Sequence, residues 1–258
     1  MKALSIAASG MMAQQRRTEV VANNLANMNT SGYQKRRTEF NDLIYKFNPR
    51  ANSVSSKSGD LVPGGVHSGL GVKMAAVYRV NEAGTAKQTG NKFGMAIQGE
   101  GFFQVQLPNG EIGYTRDGSF QVNENAQLDR HDGFIIQPGI IIPPNTTDVT
   151  ISVGGTVQAK IAGTDTPVNA GTVQLALFAN PGGLDAVGNN LFLATDRSGA
   201  ANQVNPGAGG SGAVMQGFVE SSNVNAIEEI SALIKAERAY SMNAKVLTTA
   251  DQMMATRR

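Results

Sequence analysis

Steps of three and four residues from Leu4 pass through Leu4, Ala7, Met11, Gln14, Thr18, Val21, Leu25 and Met28. This apolar seam has only two polar members, and its spacing predicts one amphipathic helix over residues 4–28. The other end of the chain repeats the pattern. Asn225 stands as a capping residue with Glu228 three positions on, the reciprocal arrangement of a capping box. The stripe that follows holds Ile227, Ile230, Leu233, Ile234, Tyr240, Ala244, Leu247 and Met254, and Arg257 and Arg258 complement the negative end of such a helix. At 1.5 Å per residue the two rods run to roughly 37 and 46 Å. Neither buries its stripe alone, so the helices are expected to pair and to order fully against neighbouring copies.

Between them the period shortens to two. MAIQGEGFFQVQL, IGYTRDGSFQV, AQLDRHDGFIIQP, DVTISVGGTVQAKIA and GTVQLALFANP are rich in Val, Ile, Phe and Tyr and are broken by Gly-containing turns, which predicts a mostly antiparallel β domain. Asn109-Gly110, Asp117-Gly118 and Asp132-Gly133 are expected as hairpin turns. Residues 47–72 are Ser-, Gly- and Pro-rich and weakly periodic, fitting a linker or an extended segment held by another surface. Residues 199–217 carry six glycines and fit a flexible return to the second helix. The expected fold is α+β: long N- and C-terminal helices pairing as an α-helical coiled-coil layer, with a central mostly antiparallel β domain. Its expected parts are an N-terminal helix (1–30), a connecting segment (31–75), the β domain with its return (76–218) and a C-terminal helix (219–258).

Composition narrows the function. The 258 residues are 41% hydrophobic and contain no cysteine, which excludes thiolate metal sites, disulfides and a cysteine nucleophile. The first 50 residues hold eight Lys/Arg against three acids, so a basic arm is a candidate for an acidic partner surface. Nucleic acid is not expected, because Lys35-Arg36-Arg37 has only Tyr33 beside it and no basic-aromatic repeat. No apolar run approaches the ~18 residues of a membrane span, and the weak, Gly-interrupted apolar block at the start argues against a cleaved signal.

Candidate chemistry is sparse. His67 and His131 stand far apart in linker-like and turn-like sequence, as solvated histidines commonly do. Glu124, Asp129 and Asp132 lack the spacing of a calcium loop. Glu111 and Asp117 suit a sheet rim as well as a glycosidase pair. The glycines around His67 lack the strand and helix of a dinucleotide site, and the sequons at Asn29 and Asn145 are too short to carry weight. No metal, cofactor or catalytic residue is expected.

Taken together, three groups of motifs resemble the bacterial flagellar rod and hook protein family, on its distal-rod branch. The first is Asn23-Asn24-Leu25-Ala26-Asn27 with Asn29-Thr30-x-Gly32-Tyr33. The second is Ile97-x-Gly99-x-Gly101-Phe102-Phe103 with Tyr114-Thr115-Arg116-Asp117-Gly118-x-Phe120. The third is Ser222-Asn223-Val224, Ala236-Glu237-Arg238-Ala239-Tyr240, Asn243-x-Lys245 and Asp251-x-Met253. The chain departs from the family pattern at Phe93-Gly94, where Leu-Asp is expected before Ala96-Ile97.

The resemblance implies a structural, non-enzymatic subunit of the basal body, assembling as an open helical homo-oligomer into a hollow rod across the periplasm. It implies torque transmission, export by the flagellar type III apparatus without a cleaved signal, and neighbours among other rod proteins, hook protein and surrounding ring proteins. Subunit contacts are then expected through the helix stripes, at Leu4, Ala7, Met11, Val21, Leu25, Met28, Ile227, Ile230, Leu233, Tyr240, Ala244, Leu247 and Met254. The family signature falls on Asn23, Asn24, Asn27, Asn29, Thr30, Gly32, Asn223, Arg238, Asn243 and Asp251. Four asparagines crowded at one helix end are expected to offer amides for bonds across subunits. The competing expectation is a secreted β-domain binding module with helical docking arms.

Overall fold

The computed structural model describes residues 2–48, 66–164 and 166–256. Much of the 47–72 segment, with Arg257 and Arg258, lies outside them. The described residues fall into two compact units. One holds residues 2–25, 36–48, 66–78 and 226–256, and the other residues 26–35 and 79–225. Of the segment expected as a connector over 31–75, residues 31–35 go with the β unit and residues 36–48 and 66–75 with the helices.

The helical unit contains α1 (Lys2–Ala26), β1 (Arg36–Asp42), β2 (Tyr45–Asn48), β3 (Val66–Gly69), β4 (Val72–Arg79) and α2 (Ala226–Ala255). Helix α1 stops at Ala26 and not at Met28, because Asn27 closes a turn with its carbonyl accepting from the Thr30 amide at 3.2 Å. Asparagine competes with helical bonding, and the competition wins here. β1 pairs with β4 and β2 with β3, in antiparallel register Tyr45↔Gly69 to Asn48↔Val66. The Leu43 amide donates to the Gly71 carbonyl at 2.8 Å between the two ladders, so the described flanks of the presumed linker form one two-stranded ribbon. α2 follows Asn225 directly and carries Glu228 and Glu229 in its first turn, where the helix dipole favours them.

The β unit contains β5 (Ala86–Gln88), β6 (Met95–Gln98), β7 (Phe102–Gln106), β8 (Ile112–Thr115), β9 (Phe120–Val122), β10 (Leu128–Arg130), β11 (Ile135–Gln137), β12 (Thr146–Ile151), β13 (Thr156–Ile161), β14 (Val168–Thr172), β15 (Leu175–Leu177), β16 (Asp185–Gly188), β17 (Leu191–Leu193), β18 (Asn202–Val204), β19 (Ala213–Gln216) and β20 (Phe218–Glu220). The largest sheet has nine strands in the order β16-β17-β8-β7-β11-β10-β9, with β15 joining β7 to β18. β7 is its centre. Strand alternation sends Phe103 and Val105 into one core with Phe120, Leu128 and Ile136, and Phe102 into a second with Tyr114, Phe178 and Phe192. Phe103 meets Phe120 edge-on at 5.2 Å between ring centres, a geometry aromatic quadrupoles favour.

Asn109-Gly110 and Asp132-Gly133 are hairpin turns between paired strands, with φ of 85° and 81° at their glycines. Asp117-Gly118 is not. Its flanking strands β8 and β9 do not pair, and a Cβ on Gly118 would lie 1.6 Å from the Met95 carbonyl oxygen, so glycine is needed there for a buried close approach. The glycine-rich stretch 199–217 is no loose return either. It holds β18 on β15 and β19 on β6, because Gly207, Gly209 and Gly210 turn the chain at positive φ and leave both strands free to pair.

Candidate assembly surface and its supporting motifs

The helical unit shows how α1 and α2 meet. A Cβ on Gly10 would lie 2.8 Å from Asn243 Nδ2, and Asn24 Nδ2 donates to Glu229 Oε2 at 3.2 Å. The two contacts run in opposite chain directions and are 14 residues apart on each helix, so the helices are antiparallel and meet along heptad-spaced positions. Ala236, midway between Glu229 and Asn243, is completely buried. Glycine and alanine at these positions let the backbones approach closely.

This settles which face of α2 is covered. Leu233, Ala244 and Leu247 are half-buried, but Ile227 is 77% exposed, and Ile230, Tyr240 and Met254 are also exposed. The face toward α1 is thus the small-residue one, and Ile227, Ile230, Tyr240 and Met254 of the expected stripe stay exposed in the single subunit. On α1 the expected seam is covered, with Ala7 and Val21 buried and Leu4, Met11 and Leu25 half-buried. Met28 lies beyond the helix and is exposed.

The asparagine cluster divides. Asn24 is 1% exposed; its amide donates to the Arg36 carbonyl at 2.8 Å and its carbonyl accepts from the Arg36 amide at 2.9 Å. It is used inside its own chain, against the expectation of a bond across subunits, because a reversing loop needs both backbone groups of the first β1 residue satisfied. Asn27 accepts from the Thr30 hydroxyl at 3.2 Å, while Asn23 and Asn29 are exposed. Gly32 has φ 66°, and a Cβ there would lie 2.6 Å from the Asp117 amide nitrogen, so both its conformation and its surroundings demand glycine. In the C-terminal signature, Asn223 accepts from the Lys35 amide at 2.7 Å and donates to the carbonyls of Val80 and Glu82 at 3.0 and 2.9 Å. Arg238 and Asp251 are exposed.

Around this loop the β unit buries a charge network whose pairing the sequence did not reveal. Arg116 Nε meets Glu220 Oε2 at 2.9 Å with both side chains 5% exposed. Its Nη1 donates to the carbonyls of Gly99 and Gly101 at 2.9 and 2.7 Å, and both residues stand at positive φ, 124° and 134°, a backbone conformation that favours glycine. Glu220 also accepts from the Gly84 amide at 2.9 Å. Arg130 meets Asp117 at 3.3 Å and Asp132 at 3.0 Å. Asp117 is thus a structural partner, and Glu111 takes a 2.6 Å bond from Asn109. His131 is solvated beside Asp132, and His67 lies in β3. Burial pushes the Tyr114 phenol up.

Arg17, Arg36, Arg37 and Lys235 line an open groove of about 520 Å³ between α1, β1 and α2, together with Val20, Phe40, Ile227, Glu228 and Glu229. No helix among the described residues is long and apolar enough to cross a membrane.

Comparison with known proteins supplies the context. Residues 4–34 match the family model for flagella basal body rod protein, residues 96–159 that for the flagellar hook protein FlgE/F/G D1 domain, and residues 215–256 that for the flagellar basal body rod FlgEFG protein C-terminal region. The flagellar basal-body rod protein FlgG of Caulobacter vibrioides is 52% identical over 98% of this chain and 97% of its own length. The proteins of that name from Buchnera aphidicola subsp. Baizongia pistaciae and Agrobacterium fabrum are each 44% identical over 98% of this chain, covering 96% and 97% of their own lengths. The matched segments hold the Asn24 clasp, the Arg116 site and the Asn223 clasp, so the chain belongs to the structural flagellar basal-body rod and hook family, in its distal-rod branch.

Proposed function

We propose that this chain self-assembles, as an open helical polymer, into the hollow distal rod that transmits torque from motor to hook and forms part of the export channel. The carrying observation is that α2 has two opposed apolar faces. One meets α1; the other leaves Ile227, Ile230 and Ile234 exposed, more apolar surface on one helix than a lone subunit can cover. The terminal helices then form a coiled-coil inner layer, with contacts that dock one surface on a different surface of the next copy and so never close. The ribbon of β1 to β4 lies over neighbouring subunits and restricts their sliding. Export proceeds unfolded through the type III apparatus, and the rod meets other rod proteins, hook protein and ring proteins without cofactor or catalysis.

The test is sedimentation and electron microscopy of the purified chain and of Ile230→Asp/Ile234→Asp. The parent is expected to form tubes or filaments, and the variant to remain monomeric with an unchanged β-unit melting transition. A parent that stays monomeric at all concentrations with both helices fully protected from hydrogen exchange, or a variant that polymerises normally, overturns the reading.

A further inference from the structure

Charge is divided unevenly between the two units. The described residues of the helical unit hold ten Lys/Arg against seven Asp/Glu, and those of the β unit hold eight against eleven. The helical excess gathers in one place. Arg17, Arg36, Arg37 and Lys235 all line the groove between α1, β1 and α2, and none of the four forms an ion pair among the described residues. Glu228 and Glu229 share the lining, but Glu229 is 7% exposed and already accepts from the Asn24 amide. Cations gathered without counter-charges repel one another, and an acidic surface laid over them relieves that repulsion. The β unit carries such a surface. Asp185 and Asp196 line one depression beside the turn Pro181–Gly183, with Arg197 as the one cation in its lining. Pro181, at the head of that turn, also lines a small cavity with Glu100, so three exposed acids stand around a single turn. The other cations nearby are committed. Arg79 is half-buried, with its Nη2 donating to the Pro181 and Leu184 carbonyls at 3.1 and 2.9 Å, and Arg116 is neutralised by Glu220.

We propose that the basic groove receives this acidic end of the β unit from a second copy of the chain. The proposal rests on the assembly reading above and adds a division of labour to it. Covering the isoleucines of α2 supplies apolar area, which has no direction. Matched charge supplies what area lacks, since it selects the neighbour that docks and fixes the register in which it does so. The groove on one copy and the acidic end on the next are different patches, so the contact repeats along a polymer without closing.

The test measures, by sedimentation, the critical concentration at which the full-length chain assembles. For the parent it should rise as sodium chloride goes from about 0.05 to about 0.5 M, because salt screens exposed charges; apolar burial alone would leave it level or lower it. Arg37→Glu/Lys235→Glu and Asp185→Lys/Asp196→Lys alter exposed side chains and should keep the parent's melting transitions. Each alone should raise the critical concentration roughly tenfold or more, since like charges then face each other. An equimolar mixture of the two should assemble near the parent's concentration, each reversed groove taking a reversed β unit and each native groove a native one. The chain carrying all four changes should assemble by itself. Should a reversal fail to fold, Arg37→Gln/Lys235→Gln or Asp185→Asn/Asp196→Asn takes its place, with a flattened salt dependence as the expected result. Salt-independent assembly of the parent, a reversal that assembles like the parent, or a mixture no better than its components overturns this proposal alone and leaves the groove to another acidic partner. Parent chain that never polymerises overturns the assembly reading, and this one with it.

Discussion

Asn24 and Arg36 bond each other in both directions, the Asn24 amide donating to the Arg36 carbonyl at 2.8 Å and the Arg36 amide donating to Asn24 Oδ1 at 2.9 Å. One side chain thereby imitates a strand neighbour and fixes where β1 begins. Asn24→Ala should cost about 1–3 kcal/mol, since buried backbone groups lose their partners. Hydrogen exchange at the Arg36 amide is the direct check, and an unchanged protection factor would refute the clasp. Asn24→Asp should rescue little, because it removes the donor to Arg36 and sets a carboxylate against Glu229.

Arg116 and Glu220 form an ion pair with almost no solvent access. Removing one partner strands the other charge, so Glu220→Leu should destabilise the β unit by roughly 3–5 kcal/mol. The double change Arg116→Met/Glu220→Leu should recover a large part of that loss. Urea unfolding of the three variants measures the coupling, and strictly additive effects would rule it out.

Gly10 faces Asn243 across the helix pair. Gly10→Ala should gain up to about 1 kcal/mol of helix preference, offset by the push on Asn243, for a result near zero. In an Asn243→Ala background the obstacle is gone and the full gain should appear in the thermal melt. Equal effects in both backgrounds would mean the helices do not meet there.

At Gly32, positive φ and the nearby Asp117 amide both exclude a side chain. Gly32→Ala should therefore destabilise by about 1–3 kcal/mol, whereas Gly133→Ala, whose Cβ would meet nothing within 4 Å, should lose only the conformational part. Comparing the two denaturation midpoints separates crowding from backbone strain.

The hydrogen bond from Lys92 holds the Asp148 carboxyl below its usual range. A depressed folded-state pKa contributes stability above the unfolded value, lost as pH falls through the folded one. Lys92→Met should raise the Asp148 midpoint toward that of a free aspartate, as seen by NMR titration; an unmoved midpoint would deny the pair any influence.

Periodicity found both helices, and along its α1 seam Ala7 and Val21 are buried and Met11 half-buried within the single chain. On α2 it marked the bulkier apolar row, because a hydrophobicity pattern favours that row even when alanines provide the closer contact to α1. The Asp117-Gly118 dipeptide misled for a similar reason: the same two residues make a hairpin turn in solvent and a close approach in a core, and only the neighbouring Met95 carbonyl distinguishes them. Arg116, Glu220 and Arg130 were invisible as a network, since their partners lie up to 136 residues away in the chain.

What the sequence determined by itself is local: where helices and strands form, where glycine must turn the chain, and which motifs mark its family. Those outcomes depend on φ/ψ preference and on side-chain period, both of which act over a few residues. The tertiary structure alone decided which helix face is hidden, which asparagine is a clasp and which charges are buried. These depend on what arrives from distant segments, and burial has no signature until the segments meet.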